Sequence, residues 1–540
     1  MKPMTRLRDY FVPYKSAEDL FSKLQELAYL GNHTEIQHKI FQENIERKIW
    51  PLLRQTKFYI IEDNYVETEW KDMIAEHYIH TKYNVVSTVV RVHLFNGEQE
   101  LDNSYLGCFT IRKIDNNEMS LSFIYPNWNV LCMEECNFAN CYLATAKKHI
   151  HICAEELEIK TTPYFAQDGT VTCCAHAGIL MLSHFLNLKF GYKKIRISEM
   201  AQGYLRREKQ YPTKGLVPEQ IMEILTNNGV YIRPYNLDKR EQYERTAEDI
   251  KQTIKAHLRS GLPVLLGINK HAVLIIGFCE SNEYDGILFL DDSGVLIHNI
   301  NEAKYIDSEQ EYDNFISRCS WEYILNYIEN SPGEVVRFLI PFHEKVFVSY
   351  DDVFCRCLIM ELNIDPESSE DEETYLIQNK RFFIADNVDC KRFINENILD
   401  REFVKGAVDE FICNSQSHYL WCYEFEFQGE IYILFINSTY NVNTKENNVY
   451  INKGREPFHI AKRYHTTDSI RCNKTNQENL PLFTNRVQLK GGLLDNLRLH
   501  EEILETKKPK KPEERNEEPL IKTRESNHSA KGKKKKRSNR

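Results

Sequence analysis

The 540-residue sequence lacks a long apolar run: none of its apolar stretches approaches the roughly 18 residues that a bilayer-spanning helix requires. We therefore expect no membrane span. The basic first residues, 1–8, are not followed by the apolar segment of a secretory signal, so we expect no signal peptide either. The sequence also contains no Gly-rich phosphate-binding loop, which argues against a P-loop nucleotide site.

The 15 cysteines lack the regular spacing of a small disulfide-stapled scaffold. In a chain of this length they indicate reduced thiols, and we expect a cytoplasmic protein. No CxxC pair occurs, and the cluster that most suggests zinc has the spacing C-x3-C-x4-C, which fits structural zinc sites poorly. That cluster consists of Cys132, Cys136, Cys141, His149, His151 and Cys153. We interpret these residues as ordinary side chains and expect neither a metal nor a cofactor.

Charge is divided unevenly along the chain. Residues 507–540 carry 14 Lys/Arg against 5 Asp/Glu, a balance of +9, which leaves −19 for the rest because the whole chain carries −10. An acidic body disfavours nucleic-acid binding, which usually needs a basic face. The tail is almost free of apolar residues, so we expect it to be disordered and regard it as a candidate for contact with anionic partners.

The central motif is a loop that leads into an apolar helix. Apolar residues recur at helical spacing from Ala175 onward, which predicts a helix that begins beside Cys173. The N-terminus of a helix favours an anion and therefore lowers the pKa of a thiol placed there. Gln167 lies six residues upstream, from where its amide could reach an oxyanion formed beside Cys173.

Two later segments supply the partners that a reactive thiol needs. His271 stands between two apolar runs that predict buried strands, and the pair Asp291 and Asp292 ends a third. The order Gln, Cys, His, Asp fits a thiol activated by an imidazole that an acid orients. Cys174 is a rival nucleophile. His176 is a rival base, although we expect it, one helical turn on, to point along the wall of a cleft and not across it.

This pattern resembles that of papain-like cysteine peptidases, and it is nearest to the peptidase domains of bacteriocin exporters. The resemblance covers roughly residues 164–305. It implies that Cys173 is the nucleophile, His271 the general base, Asp291 the orienting acid and Gln167 the oxyanion-hole residue. Cys174 departs from the family, which has Trp or Gly at that place.

The resemblance leaves the identity of the acid open between Asp291 and Asp292. Gly294, three residues after Asp291, reproduces the spacing of the turn that follows the papain acid, and this favours Asp291. Each residue of the candidate site also has a purely structural interpretation. Cys173 also fits a buried thiol, His271 a histidine of the core, and the aspartate pair a turn.

The predicted fold class is α+β, with a central papain-like domain in which helices pack on an antiparallel sheet. The expected domains are an N-terminal α+β domain (1–155), the catalytic domain (156–330), a β-rich domain (331–506) and the tail (507–540). Local signals predict a helix over 218–228, a hairpin of strands 419–427 and 430–437, and a strand over 354–360.

The predicted function is that of a cytoplasmic thiol hydrolase, a peptidase or isopeptidase that acts on a peptide or protein substrate. Two alternatives remain. A transglutaminase-like or acyltransferase-like enzyme uses Cys, His and Asp in the same order but passes the acyl group to a different acceptor. A non-catalytic papain-like scaffold would bind a partner through its flanking domains.

Overall fold

The structure is a computed structural model. It describes residues 10–28, 45–46, 48–50, 52–81, 85–97, 104–113, 119–124, 140–153, 155–204, 211–213, 215–237, 243–268, 270–280, 285–292, 316–330, 335–354, 357, 378–388, 390, 418–427, 430–438, 447–452 and 459–464. The tail 507–540 and Gly294 lie outside these residues, as does the predicted contact of the tail with anionic partners.

The described helices include α1 (Ala17–Ala28), α2 (Thr68–Met73), α3 (Ile79–Thr81), α4 (Cys174–Phe190), α5 (Ile197–Tyr204), α6 (Pro218–Asn227), α7 (Tyr243–Arg259) and α8 (Trp321–Asn330). A π-helical turn at Ile74–Tyr78 joins α2 to α3. No helix in the described part of the chain has both the length and the apolar character needed to cross a bilayer.

The described strands are β1 (Val12–Pro13), β2 (Phe58–Tyr65), β3 (Val89–Phe95), β4 (Tyr105–Arg112), β5 (Ser122–Ile124), β6 (Asn140–Leu143), β7 (Ala146–Ile152), β8 (Glu155–Tyr164), β9 (Tyr231–Leu237), β10 (Val264–Ile268), β11 (His271–Glu280), β12 (Asp285–Leu290), β13 (Ser317–Ser320), β14 (Val336–Phe342), β15 (Gln378–Asp386), β16 (Tyr419–Phe427), β17 (Glu430–Asn437), β18 (Asn447–Asn452) and β19 (His459–Tyr464).

These strands form three antiparallel sheets. The first has the order β1-β2-β3-β4-β5-β8-β7, the second β13-β12-β11-β10-β14-β9 with β6 paired to β11, and the third runs from β15 to β19 in sequence order. Helices combined with antiparallel sheets confirm the predicted α+β class. The division into domains stays a prediction. Strand β6 belongs to the second sheet and strand β8 to the first, so the two sheets exchange strands near residue 155.

The second sheet carries helices on both faces, because its central strands are apolar on both sides. Along β10, Leu265 packs in the same apolar cluster as the residues of α4. Its neighbours Val264 and Leu266 pack in a second cluster with residues of α7 and α8. A strand presents successive side chains to opposite faces, so α4 covers one face and α7 with α8 the other.

Most local predictions agree with these elements. The helix predicted over 218–228 is α6, and the predicted hairpin is β16 with β17, paired from Phe427 and Glu430 outward. The strand predicted over 354–360 is wrong where the structure describes it, because Phe354 and Cys357 are helical. Apolar residues at 354, 357 and 358 fit a short helix as well as a strand, which a run of this length does not distinguish.

Candidate active site

Helix α4 determines where the two cysteines of the candidate site lie, because they stand at its N-terminus. Its residues 175–186 are all buried, as expected for a helix that is apolar on every face. Gly178 allows close packing on the second sheet, since a Cβ there would lie 2.9 Å from the Leu265 side chain. At the other end, Gly191 closes the helix in the left-handed conformation. The N-terminus of α4 is thereby fixed against β10 and β11.

Cys173 is the residue that caps this helix. It has extended backbone angles, and His176 folds back towards it in a capping-box arrangement. Nδ1 of His176 accepts the backbone N–H of Cys173 at 3.4 Å and lies 2.9 Å from the Cys173 sulfur. Burial lowers the pKa of His176 to about 4, although the charge of Asp168 opposes the shift. His176 is therefore a neutral imidazole near pH 7.

The two adjacent thiols differ in acidity. The pKa of Cys173 is lowered to about 7, chiefly because the Cys174 thiol donates a hydrogen bond to its sulfur; burial opposes this, and the backbone N–H groups of His176 and Ala175 add to it. The pKa of Cys174 is raised to about 12 by the same hydrogen bond and by burial, against the influence of His271. Near neutral pH, Cys173 ionises first.

His271 opens β11 and lies between the cysteine pair and an acidic pair. Its Nε2 lies 2.8 Å from Oδ1 of Asp291 and 3.7 Å from Oδ1 of Asp292. Burial lowers the pKa of His271, but the hydrogen bonds to Asp291 and Cys174 outweigh burial and raise it to about 10. This imidazole therefore holds a proton strongly.

Asp291 and Asp292 follow directly after β12, whose antiparallel pairing with β11 brings them to His271. Burial raises the pKa of Asp292 to about 7, and both of its carboxylate oxygens lack a hydrogen-bond partner among the described residues. The backbone of Asp291 and Asp292 is also held by hydrogen bonds from residues outside the second sheet. The Tyr164 hydroxyl donates to the carbonyls of both aspartates at 3.3 Å, and Lys48 donates to that of Asp292 at 3.2 Å.

Asp168 shapes the loop before Cys173. Its carboxylate accepts the backbone N–H groups of Thr170, Val171 and Thr172, the last at 2.7 Å. The Tyr78 hydroxyl donates to the same carboxylate at 2.6 Å. We did not predict this role, although an Asp followed by Gly and Thr is typical of a side chain that binds its own turn.

The first sheet reaches the same loop through Arg112. Its guanidinium donates to the carbonyls of Met119 and Ala166, the second being the residue before Gln167. Burial raises the pKa of Asp168, but the charge of Arg112 and the hydrogen bonds to Asp168 outweigh burial and lower it. Gln167 itself is half-buried on this loop, six residues before Cys173.

One group of possible metal ligands occurs among the described residues: His271, Asp291 and Asp292, with ligand atoms within 4.8 Å of one another. These are the residues of the candidate triad. Of the residues whose spacing most suggests zinc, Cys132 and Cys136 lie outside the described residues. His149 of that cluster instead lies 3.1 Å from Glu156.

The structure thus pairs His271 with Asp291, with Asp292 beside them, and places Cys173 and Cys174 at the start of α4 near this group. His176, which we expected to point along the wall, reaches back to Cys173. The fold and the site together define an α+β protein in which half-buried thiols at a helix N-terminus lie near a buried imidazole and its carboxylates.

The sequence matches no known protein-family model and no curated protein. Among solved structures, one similar chain is that of UfSP from C. elegans, with a TM-score of 0.25 and 15% identity. The similarity covers 39% of this chain and 36% of the UfSP chain, so the present chain spans about a third of that protein. Because the TM-score is this low, we interpret the candidate site from the geometry of its own residues.

Proposed function

We propose that this protein is a thiol hydrolase of the papain-like kind, a cysteine peptidase or isopeptidase. The observation that supports the proposal best is the 2.8 Å contact of His271 Nε2 with Asp291, close to the thiol pair at the α4 N-terminus, where Cys174 contributes to the raised pKa of His271. A thiol, an imidazole and an acid in this order are the components of acyl transfer through a covalent thioester.

The proposed nucleophile is Cys173, since its pKa of about 7 makes it the thiolate near neutral pH, whereas Cys174 stays protonated. The proposed acid–base group is His271. His176 touches the same sulfur, but a pKa of about 4 makes it too weak a base to hold the thiol proton. In the proposed reaction, the Cys173 sulfur attacks a carbonyl carbon and the imidazolium of His271 protonates the leaving amine. Water then hydrolyses the thioester.

Asp291 is the proposed orienting acid, because its carboxylate is the closer of the two to Nε2 of His271. Gln167 is the proposed oxyanion donor, supported by its place on the clamped loop before Cys173. The backbone N–H of Cys173 would join Gln167 only after it leaves Nδ1 of His176, a bond that is long at 3.4 Å.

The proposed substrate is a peptide or protein, and the proposed location is the cytoplasm. In support of a reducing compartment, the exposed or half-buried cysteines Cys153, Cys173 and Cys174 are free thiols. Such a compartment also suits an enzyme whose reaction requires a thiolate.

The test uses p-nitrophenyl acetate, a small activated ester that needs no knowledge of the natural substrate. We expect a burst of nitrophenolate equal to the enzyme concentration, followed by slow turnover, with the acetyl group mapped to Cys173 by mass spectrometry. The variant Cys173→Ala should lose the burst, while Cys153→Ser, which removes an exposed thiol, should keep it.

The same assay separates the alternatives. If an added amine acceptor accelerates turnover and water alone does not support it, the protein is an acyltransferase. If no burst occurs and Cys173 is not acetylated, the catalytic proposal is wrong and the scaffold interpretation replaces it.

A further inference from the structure

Asp292 is a buried carboxylate that the proposed reaction does not use. Its side chain is only 1% exposed, and neither carboxylate oxygen has a hydrogen-bond partner among the described residues. His271 lies 3.7 Å from it but makes its shorter contact, at 2.8 Å, with Asp291. A buried carboxylate is costly unless an opposite charge or a metal ion balances it. The unpartnered oxygens of Asp292 therefore point to a positively charged ligand.

Three side chains bring possible ligand atoms together at this point. Nε2 of His271 and one carboxylate oxygen from each of Asp291 and Asp292 lie within 4.8 Å of one another. In a tetrahedral zinc site with bonds of about 2.0–2.2 Å, two ligand atoms lie roughly 3.4 Å apart. The nitrogen–oxygen distances of 2.8 Å and 3.7 Å fall on either side of this value. Small rotations of the side chains therefore suffice to enclose one zinc ion.

We propose that His271, Asp291 and Asp292 form a reversible zinc-binding site. The protein ligands are Nε2 of His271 and one oxygen of each aspartate, and water fills the fourth position, as in other zinc sites with three protein ligands. Nε2 and the Asp291 oxygen, 2.8 Å apart, share a hydrogen between them. The zinc ion replaces this proton, which leaves to solvent.

The ligand set favours zinc over calcium and magnesium. Zinc binds imidazole nitrogen and carboxylate oxygen together, whereas calcium takes about six to eight oxygen ligands and magnesium keeps several of its waters. The two carboxylates also supply the charge that neutralises a divalent ion. We expected no metal from the sequence, in which His271 and Asp291 are 20 residues apart. The pairing of β11 with β12 brings them together.

A second histidine with two carboxylates shows that composition alone does not make such a site. Nδ1 of His149 lies 3.1 Å from Glu156, and its Nε2 lies 3.8 Å from Glu158. The two carboxylates contact opposite nitrogens of the ring, so they do not converge with one nitrogen on a single ion. All three side chains are at least 41% exposed, and water hydrates them. These residues provide a matched control.

Zinc at this site blocks the proposed reaction, and this part of the inference rests on the proposed function. A ring that binds zinc through Nε2 carries its single proton on Nδ1 and cannot accept another. His271 then no longer serves as the acid–base group for Cys173. Zinc is therefore a reversible inhibitor that acts on the base and leaves the nucleophile uncoordinated. Binding of the ion itself does not depend on the proposed function.

The experiment titrates the full-length protein with zinc chloride in a calorimeter at about pH 8, where fewer protons compete for the ligands. Wild type should bind one equivalent of zinc that Asp292→Asn binds at least tenfold more weakly. The matched control Glu158→Gln, which removes a carboxylate from the exposed set, should titrate like wild type. Cys173→Ala should also keep this equivalent. Because the variants are compared with wild type, zinc bound elsewhere on the chain cancels.

The second readout is turnover of p-nitrophenyl acetate. Saturating zinc should slow wild-type turnover about hundredfold, the loss expected when general base catalysis is removed, and a chelator should restore it. Each variant is compared with its own zinc-free rate. Asp292→Asn should need at least tenfold more zinc for the same inhibition, whereas Glu158→Gln should respond like wild type.

Equal zinc binding by wild type and Asp292→Asn overturns the site. His271→Gln removes a second ligand and should lose the same equivalent, so the result does not depend on the folding of one variant. Loss of this equivalent in Cys173→Ala also overturns the site, because a thiol is then a ligand. Acceleration of turnover by zinc overturns the inhibitory role. If zinc-free wild type shows neither burst nor turnover, the proposed function fails, and the titration alone still decides the zinc site.

Discussion

His93 in the first sheet and His271 in the second begin from the same ingredients. Both are buried, and each places Nε2 close to a carboxylate: 2.9 Å from Glu62 for His93 and 2.8 Å from Asp291 for His271. Their acidities nevertheless diverge. The pKa of His93 is lowered to about 4, whereas that of His271 is raised to about 10. Residue types and contact distances alone therefore do not distinguish the two clusters.

The difference lies in the charge around each ring. Burial and the positive charge of Arg91 lower the pKa of His93, because Arg91 shares the carboxylate of Glu62. His271 instead faces the two carboxylates of Asp291 and Asp292. A cluster in which positive and negative charges are already balanced keeps one protonation state. A cluster with an excess of negative charge can take up a proton and release it again. This is the distinction we draw between a structural network and a candidate active site.

Replacing each histidine in turn should give the largest difference in turnover between the two clusters. We expect His271→Ala to slow p-nitrophenyl acetate turnover at pH 7 by about a hundredfold, since general base catalysis contributes that much or more. His93→Gln should leave the turnover per folded molecule within twofold, because the neutral His93 ring exchanges no proton. Equal losses in both variants would show that the two clusters are not functionally different.

Arg91→Met tests the structural cluster through stability. It leaves Glu62 without its main cation, and we expect the free energy of unfolding in urea to fall by about 2 kcal/mol, less than for a fully buried pair because Glu62 is partly exposed. The control Lys147→Met removes an exposed ion pair with Glu158 and should cost less than about 0.5 kcal/mol. A loss no larger than that of the control would mean that Arg91 does not balance this cluster.

Asp292→Asn tests the excess negative charge of the site. The raised pKa of Asp292, about 7, means that the native state holds a proton that the unfolded state releases above pH 4. The contribution of Asp292 to wild-type stability therefore falls between pH 4 and 7, by up to about 1.4 kcal/mol per pH unit, and Asn should remove this contribution. Urea unfolding at several pH values measures the difference in slope. Parallel curves for the two proteins would contradict the assignment.

Tyr78→Phe tests the link between the first sheet and the site, and its effect should be the smallest. Loss of the 2.6 Å hydrogen bond to Asp168 should cost about 1 kcal/mol and slow iodoacetamide labelling of Cys173 twofold to threefold, because the loop before Cys173 loosens. The control Tyr235→Phe removes a hydrogen bond to Asp351, away from the loop, and should leave labelling unchanged. If both variants label alike, Tyr78 does not position the loop.

The parts of the fold that the sequence predicts well are those fixed by local signals. The hairpin of β16 and β17 follows from two apolar runs separated by Gln428 and Gly429, and α6 from Pro218 at its start. The start of α4 differs from the prediction by one residue, Cys174 in place of Ala175. Such boundaries depend on the capping residue, which lies beside the motif itself.

The remaining features depend on partners distant in sequence. Tyr78 and Asp168 are 90 residues apart, and Lys48 and Asp292 are 244 apart, so no local pattern predicts either contact. The orientation of His176 is a different case. As the third residue of the helix it folds back to the capping residue, a local motif that we did not apply because Cys173 is not a usual cap.

The exchange of β6 and β8 has a practical consequence for anyone who wishes to cut this protein into pieces. A fragment that begins at residue 156 would leave β6 behind and expose one edge of β11, while it would carry most of β8 away from β5 and β7. Each piece would then present unpaired backbone groups, which favour aggregation. A protease that nicks the chain near residue 154 should instead yield two polypeptides that stay associated through gel filtration and separate only in denaturant.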